Sequence, residues 1–124
     1  MMERKYSGHI DPNVRMQLNE IQTKGRPNLY IELIDLYLPA ANKYSAELRA
    51  QVINPKADVY KEIAHAWKSS SYSVGASGLG DLCVQLEETD ESAIELIAVL
   101  IQNIQTELSF VKTELVQIKI FLAS

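Results

Sequence analysis

The longest regular pattern in the chain begins at Ile94. From there apolar residues recur at Ile97, Ile101, Ile104, Leu108, Val111, Leu115, Ile118 and Leu122, the three-and-four spacing of one helical face. A helix of some 30 residues would run roughly 45 Å at 1.5 Å per residue. Asp90 is expected to open it, with Glu91 and Glu95 in or near the first turn, where negative charge is favoured. Leu79, Leu82, Cys83 and Leu86 form a shorter stripe of the same kind. Further back, Leu29, Leu33, Ile34, Leu36, Tyr37, Ala41, Tyr44, Leu48 and Val52 define a helix for which Asn28 is the expected cap. Pro39 lies inside that pattern, and a kink or break is expected there. Asp11-Pro12 reads as the cap and first residue of a short helix carrying Val14, Leu18 and Ile21, with Gly25 at its end. Nothing alternates with a period of two for more than a few residues, and no internal repeat or low-complexity tract occurs. The pattern predicts an all-α fold, an antiparallel four-helix bundle over about residues 28–122 with a short extra N-terminal helix, in one domain spanning 1–124. Residues 1–10 are expected to be polar and flexible, with His9 there as an incidental residue without partners.

Between these elements, Asp58 is the expected cap of a helix that ends near Gly75, Gly78 and Gly80. On a 3.6-residue period, Asp58, Lys61, His65, Lys68, Ser69 and Tyr72 share one stripe. Val59, Ile63, Ala66, Trp67, Ser70 and Val74 share the opposite one. The imidazole of His65 should therefore face solvent and the indole of Trp67 the core. An exposed, unprotonated imidazole between two ammonium groups is a nucleophile beside a place for a dianion, which suits carrying a phosphoryl group. Lys68 can offset the phosphate as a mobile point charge. Lys61, Ser69 and Tyr72 share the exposed stripe and are candidate docking residues, Tyr72 as a rim contact.

Composition narrows the function classes. The 124 residues are enough for one domain with a core, and 47% hydrophobic with 23% charged residues is ordinary for a globular protein. A net charge of −4 argues against nucleic acid, whose phosphates demand clustered Lys and Arg. No apolar run is expected to approach the roughly 18 residues that span a bilayer, and no apolar segment follows the charges at the N-terminus. Cys83 is the single cysteine, so an internal disulfide is excluded and a reducing cytoplasm is expected. Two histidines and one cysteine offer no metal-ligand spacing of the zinc kind, so no metal is expected on this chain. Ser70 or Ser71 as a nucleophile with His65 as its base would lack an orienting acid, and the inward face gives poor access.

Taken together, His65-Ala66-Trp67-Lys68-Ser69-Ser70-Ser71, then Val74-Gly75-Ala76, then Leu82-Cys83 and Leu86-Glu87 closely resemble the histidine phosphotransfer (HPt) domain of two-component phosphorelays. That family's pattern is H-x-x-K-[GS]-[SA]-[SA], followed by G-A and a downstream L-x-x-L-E. The resemblance covers about residues 28–120, with its specific part in 62–87. Ser69 stands where glycine is common, and Trp67 is bulkier than the usual leucine-like residue.

The resemblance implies a four-helix bundle relaying a phosphoryl group between receiver-domain aspartates. It implies no ATP site and no kinase activity of the chain's own. His65 would be the phosphoacceptor and Lys68 the phosphate counter-charge. Magnesium would belong to the partner receiver domain, with no cofactor bound by this chain. The implied partners are receiver domains of response regulators or a hybrid histidine kinase. No nucleic acid or membrane is expected among the partners, and the protein is expected to be a cytoplasmic monomer. Ser70, Ser71, Gly75 and Ala76 would let neighbouring helices approach closely, and Met1 with a complete bundle leans towards a free-standing protein. A contrasting reading is a catalytically silent bundle that docks a receiver or kinase and regulates it by binding alone.

Overall fold

A computed structural model describes residues 8–25 and 28–124. Among them lie five helices and no strand: α1 (Pro12–Lys24), α2 (Leu29–Arg49), α3 (Ala57–Ser73), α4 (Ser77–Glu87) and α5 (Ile94–Ala123). Helices α2 to α5 close a ring in which each packs on its neighbours, with α5 returning to α2, while α1 lies against α2. Pairs such as Asp35 with Lys119 and Asn42 with Lys112 run in opposite directions along α2 and α5. Tyr30 with Val74 and Tyr37 with Ser71 do the same along α2 and α3. The bundle is antiparallel, as its short connections require.

The α5 stripe is the spine of the core, and every residue from Ile97 to Ile118 in the expected series is buried. Ile94, expected to begin that stripe, is exposed. The helix also starts later than its acidic residues suggest. Asp90 Oδ1 accepts from the backbone N and the hydroxyl of Ser92 at 2.8 and 2.7 Å, which closes a turn before α5 begins. Glu91 instead reaches across to accept from Ala57 N at 2.9 Å, capping α3 in the role expected of Asp58. Lys56 occupies the α3 cap position, and Asp58 lies inside the first turn. The expectation that no apolar run approaches a bilayer-spanning length does not hold for α5, where an 18-residue window reaches a mean hydropathy of 1.3. In the bundle that window supplies the core stripe packed on α2 and α4.

Helix α2 runs without a break through Pro39. Pro39 is exposed, so the backbone bond it removes lies on the solvent side, while Tyr30, Ile34, Tyr37, Ala41, Ser45 and Leu48 hold the helix to the core. Asn28 adopts a left-handed φ of 72° and gives no side-chain cap, a conformation asparagine tolerates. In α1 the expected cap is present, with Asp11 Oδ1 accepting from Asn13 N at 2.9 Å.

The buried arc of α3 is Tyr60, Ile63, Ala64, Trp67 and Ser71. It is turned roughly 60° from the expected one, at 100° per residue. Val59 and Ala66, expected inside, are exposed, and Ser70 is half-buried. The rotation follows from polar partners. Tyr60 Oη donates to Thr89 O at 2.8 Å, Trp67 Nε1 donates to Tyr37 Oη at 3.2 Å, and Tyr37 Oη shares a 2.8 Å hydrogen bond with Ser71 Oγ. Each buried polar tip is thereby satisfied, so these residues can enter the core.

His9 is not the partnerless residue the sequence suggested. His9 N and Ile10 N donate to the two carboxylate oxygens of Glu114 at 2.7 and 3.0 Å. The His9 ring stacks on Phe110 at 4.6 Å with Nδ1 3.0 Å from both oxygens of Glu107, and Ile10 is buried. Asp11 N then donates to Gly75 O at 2.7 Å, tying this strap to the α3–α4 turn. Residues 1–7, part of the segment expected to be flexible, lie outside the described residues.

Gly75, expected to ease helix packing, sits in the turn between α3 and α4 at a φ of +92°, where an added Cβ would lie 3.0 Å from Ile10 Cγ2. Gly75→Ala should lower stability by about 1–3 kcal/mol, from left-handed strain and the crowded strap. Gly25 has nothing within 4 Å of an added Cβ, so Gly25→Ala should stay within about 0.5 kcal/mol of the parent. Urea denaturation of both variants checks this, and equal losses would contradict the role given to Gly75.

Candidate functional site

The outer face of α3 carries His65 in mid-helix, opposite the fully buried Trp67, as the sequence analysis expected. The His65 side chain is 67% exposed. Helix α4 folds back along α3 and ends at Glu87, whose carboxylate bridges two α3 side chains. Glu87 Oε2 is 2.6 Å from His65 Nδ1, and Lys68 Nζ donates to Glu87 Oε1 at 2.6 Å. Lys68 hydrogen bonding holds the Glu87 carboxyl below its ordinary range, opposed by burial and assisted by the bond to His65. A carboxylate has no proton to give, so Nδ1 carries the hydrogen and donates it. In the neutral ring Nε2 is then the unprotonated nitrogen, and among the described residues no hydrogen bond to Nε2 occurs.

The other expected site residues fall on the same side of α3 but do different things. Lys61 is half-buried and adds to the forces that hold the Asp90 carboxyl low, after the two hydrogen bonds from Ser92. Ser69 is exposed, and its carbonyl accepts from Ser73 Oγ at 2.9 Å. Tyr72 is 37% exposed. Its hydroxyl donates to Asp81 Oδ1 at 2.6 Å, and its ring covers Gly80, where an added Cβ would fall 2.6 Å from Cε1. The close α3–α4 approach thus depends on Gly80. Burial pushes the Tyr72 hydroxyl pKa up, with the Asp81 bond adding to it.

Glu87 is the residue the sequence reading left without a role. It follows Leu86, and only the antiparallel packing of α3 on α4 brings it to a residue 22 positions away. The electrostatic setting of the ring therefore includes a carboxylate as well as two ammonium groups. Exposed Val59 and Ala66 also acquire a meaning. With Tyr44, Ile63, Glu47 and Glu62 they line a shallow groove of about 330 Å³ between α2 and α3, beside His65. Cys83 is buried under the site, and desolvation pushes its thiol up to about 12, so it is no nucleophile at neutral pH. Among the described residues, no group of three or more His, Cys, Asp or Glu side chains is arranged to hold a metal ion.

The Glu87 bridge makes stability depend on pH in the acid range. Its folded pKa is depressed, so the bridge contributes fully above the unfolded value of about 4.3 and is lost as pH falls through the folded one. Melting curves of the parent and Glu87→Gln should therefore differ at neutral pH and converge only as pH falls below the ordinary carboxylate range. A difference that persists unchanged into acid would contradict the charged bridge.

No family model matches the chain, and no curated protein matches it in sequence. Solved structures do match. A histidine-containing phosphotransfer protein from maize superposes with a TM-score of 0.79 at 21% identity, covering 93% of this chain and 86% of that one. Histidine-containing phosphotransfer protein B from Pseudomonas aeruginosa PAO1 gives a TM-score of 0.75 at 24% identity, covering 92% of this chain and 96% of that one. The chain has the helical-bundle fold of histidine-containing phosphotransfer proteins.

Proposed function

We propose that the protein carries a phosphoryl group on His65, taking it from and giving it to receiver-domain aspartates in a two-component phosphorelay in the cytoplasm. The observation that carries this reading is the carboxylate of Glu87, shared between His65 Nδ1 and Lys68. The fold match supports the same reading.

In the forward step the Nε2 lone pair attacks phosphorus in line with the acyl-phosphate bond of the receiver aspartate. The new N–P bond forms as the P–O bond breaks, and the aspartate leaves with the electron pair as a free carboxylate. Positive charge spreads over the ring as Nε2 commits its pair. Glu87 meets that charge through Nδ1–H, so the proton stays where it is and no general base is needed. Lys68, half-buried on the flexible stem of a lysine, would shift an N–H from Glu87 towards the incoming phosphoryl oxygens. Magnesium on the partner receiver would neutralise phosphate charge there. The face for the partner comprises Lys61, Ser69 and Tyr72 around His65 and, on its α2 side, the groove containing Val59 and Ala66. The chain acts as a carrier without ATP-dependent kinase activity of its own.

Labelling by one phosphorylated receiver domain tests this. The parent should gain acid-labile phosphate, while His65→Gln should gain none yet fold within about 0.5 kcal/mol of the parent, since the position is exposed. Lys68→Ala should be labelled more slowly rather than not at all, because it removes one counter-charge. Label on His65→Gln would move the acceptor elsewhere, and no label on either protein would leave a bundle that regulates by docking alone.

A further inference from the structure

Helices α2 and α5 pack across the bundle from the α3–α4 seam that carries His65. Between them lies a second groove, of about 390 Å³, that the phosphotransfer reading does not use. Its walls bring Arg49 from α2 and Lys112 from α5 to one place, with no Asp or Glu in the lining. Among the described residues neither cation is in an ion pair. In the antiparallel register Lys112 lies opposite Asn42, and Arg49 is seven residues further along α2, roughly 10 Å at 1.5 Å per residue.

The neutral groups in the groove are oriented by hydrogen bonds of their own. Asn42 Oδ1 accepts from Lys112 Nζ at 2.9 Å. Gln105 Oε1 accepts from Ser45 Oγ at 2.7 Å, and Gln105 Nε2 donates one hydrogen to Ser45 O at 3.0 Å. Each amide oxygen accepts one such bond, and each amide keeps N–H to offer a ligand. The hydroxyls of Ser45 and Ser109 donate within the protein, to Gln105 Oε1 and Thr106 O, and Leu108 supplies an apolar floor. The groove thus combines a guanidinium, an ammonium and amide N–H donors with no carboxylate, a set suited to phosphate oxygens and poorly suited to a cation.

We propose that the α2–α5 groove binds a short linear phosphate chain, either free diphosphate or the phosphates of a nucleotide, between Arg49 at one end and Lys112 at the other. The site lies apart from His65 and does not depend on the phosphotransfer reading.

Sodium pyrophosphate titrated into the full chain at low ionic strength, followed by proton–nitrogen spectra, tests the proposal. The side-chain amide signals of Asn42 and Gln105 should shift together and saturate, while sodium chloride of matched ionic strength leaves them in place. The Arg49→Gln/Lys112→Gln double variant should bind about tenfold or more weakly, having lost its charge-assisted hydrogen bonds. The charge-keeping Arg49→Lys/Lys112→Arg variant should retain binding, and His65→Gln should bind like the parent. ADP in a parallel titration distinguishes the ligands: tighter binding than pyrophosphate identifies a nucleotide, and equal binding identifies the phosphate chain alone. Amide signals that drift without saturating would overturn the proposal, as would equal affinity of the parent and the glutamine double variant.

Discussion

One carboxylate, that of Glu87, holds both His65 and Lys68, and it can do so only because α4 lies close and antiparallel along α3. That approach rests on small features. Gly80 leaves room for the Tyr72 ring, and Tyr72 Oη in turn ties to Asp81 one residue further along α4. Gly75 turns the chain between the helices in a left-handed conformation, packed under Ile10 and Val14. A change at any of these positions would move the carboxylate relative to the ring. The geometry of the His65 ring is therefore set by helix packing at the turn, about ten residues away in sequence.

The opposite face of α3 anchors that geometry. Trp67, Tyr37 and Ser71 form a buried hydrogen-bonded chain, and Tyr30 and Tyr60 send their hydroxyls to Val74 O and Thr89 O. Satisfied networks of this kind fix one rotation of a helix, because any other leaves a buried donor unpaired at a cost of about 1–3 kcal/mol. Fixing the inward face fixes the outward one, so the polar core dictates where His65 points. The N-terminal strap completes the bundle by joining Glu114 on α5 to the Gly75 turn through His9, Ile10 and Asp11.

Helix existence was legible from local signals. The Asp11-Pro12 start and the α5 stripe are set by capping and by apolar spacing, and both appear, the stripe over Ile97 to Ile118. The exposed His65 and buried Trp67 were legible too, because they sit on opposite sides of the same helix. Features that depend on distant partners were not. Glu91 reads as a first-turn acid of α5 but caps α3, and Asp58 reads as a cap but does not act as one. Tyr60 falls on neither stripe of the helical pattern yet is buried, since the Thr89 O that satisfies its hydroxyl lies beyond α4. Of the kink or break that Pro39 predicted, the break does not occur, because the lost bond faces water. Glu87 is the most consequential case, an acidic residue at a helix end whose partners are visible only in three dimensions.

The central claim is that Glu87 keeps the proton on Nδ1 and so makes Nε2 the nucleophile. Nitrogen-15 and phosphorus-31 NMR of the histidine-labelled chain tests it most directly, before and after incubation with a phosphorylated receiver domain. Before transfer, the His65 ring should show its hydrogen on Nδ1, and after transfer phosphorus should couple to Nε2. A ring protonated at Nε2 in the free protein, or phosphate on Nδ1, would contradict the account.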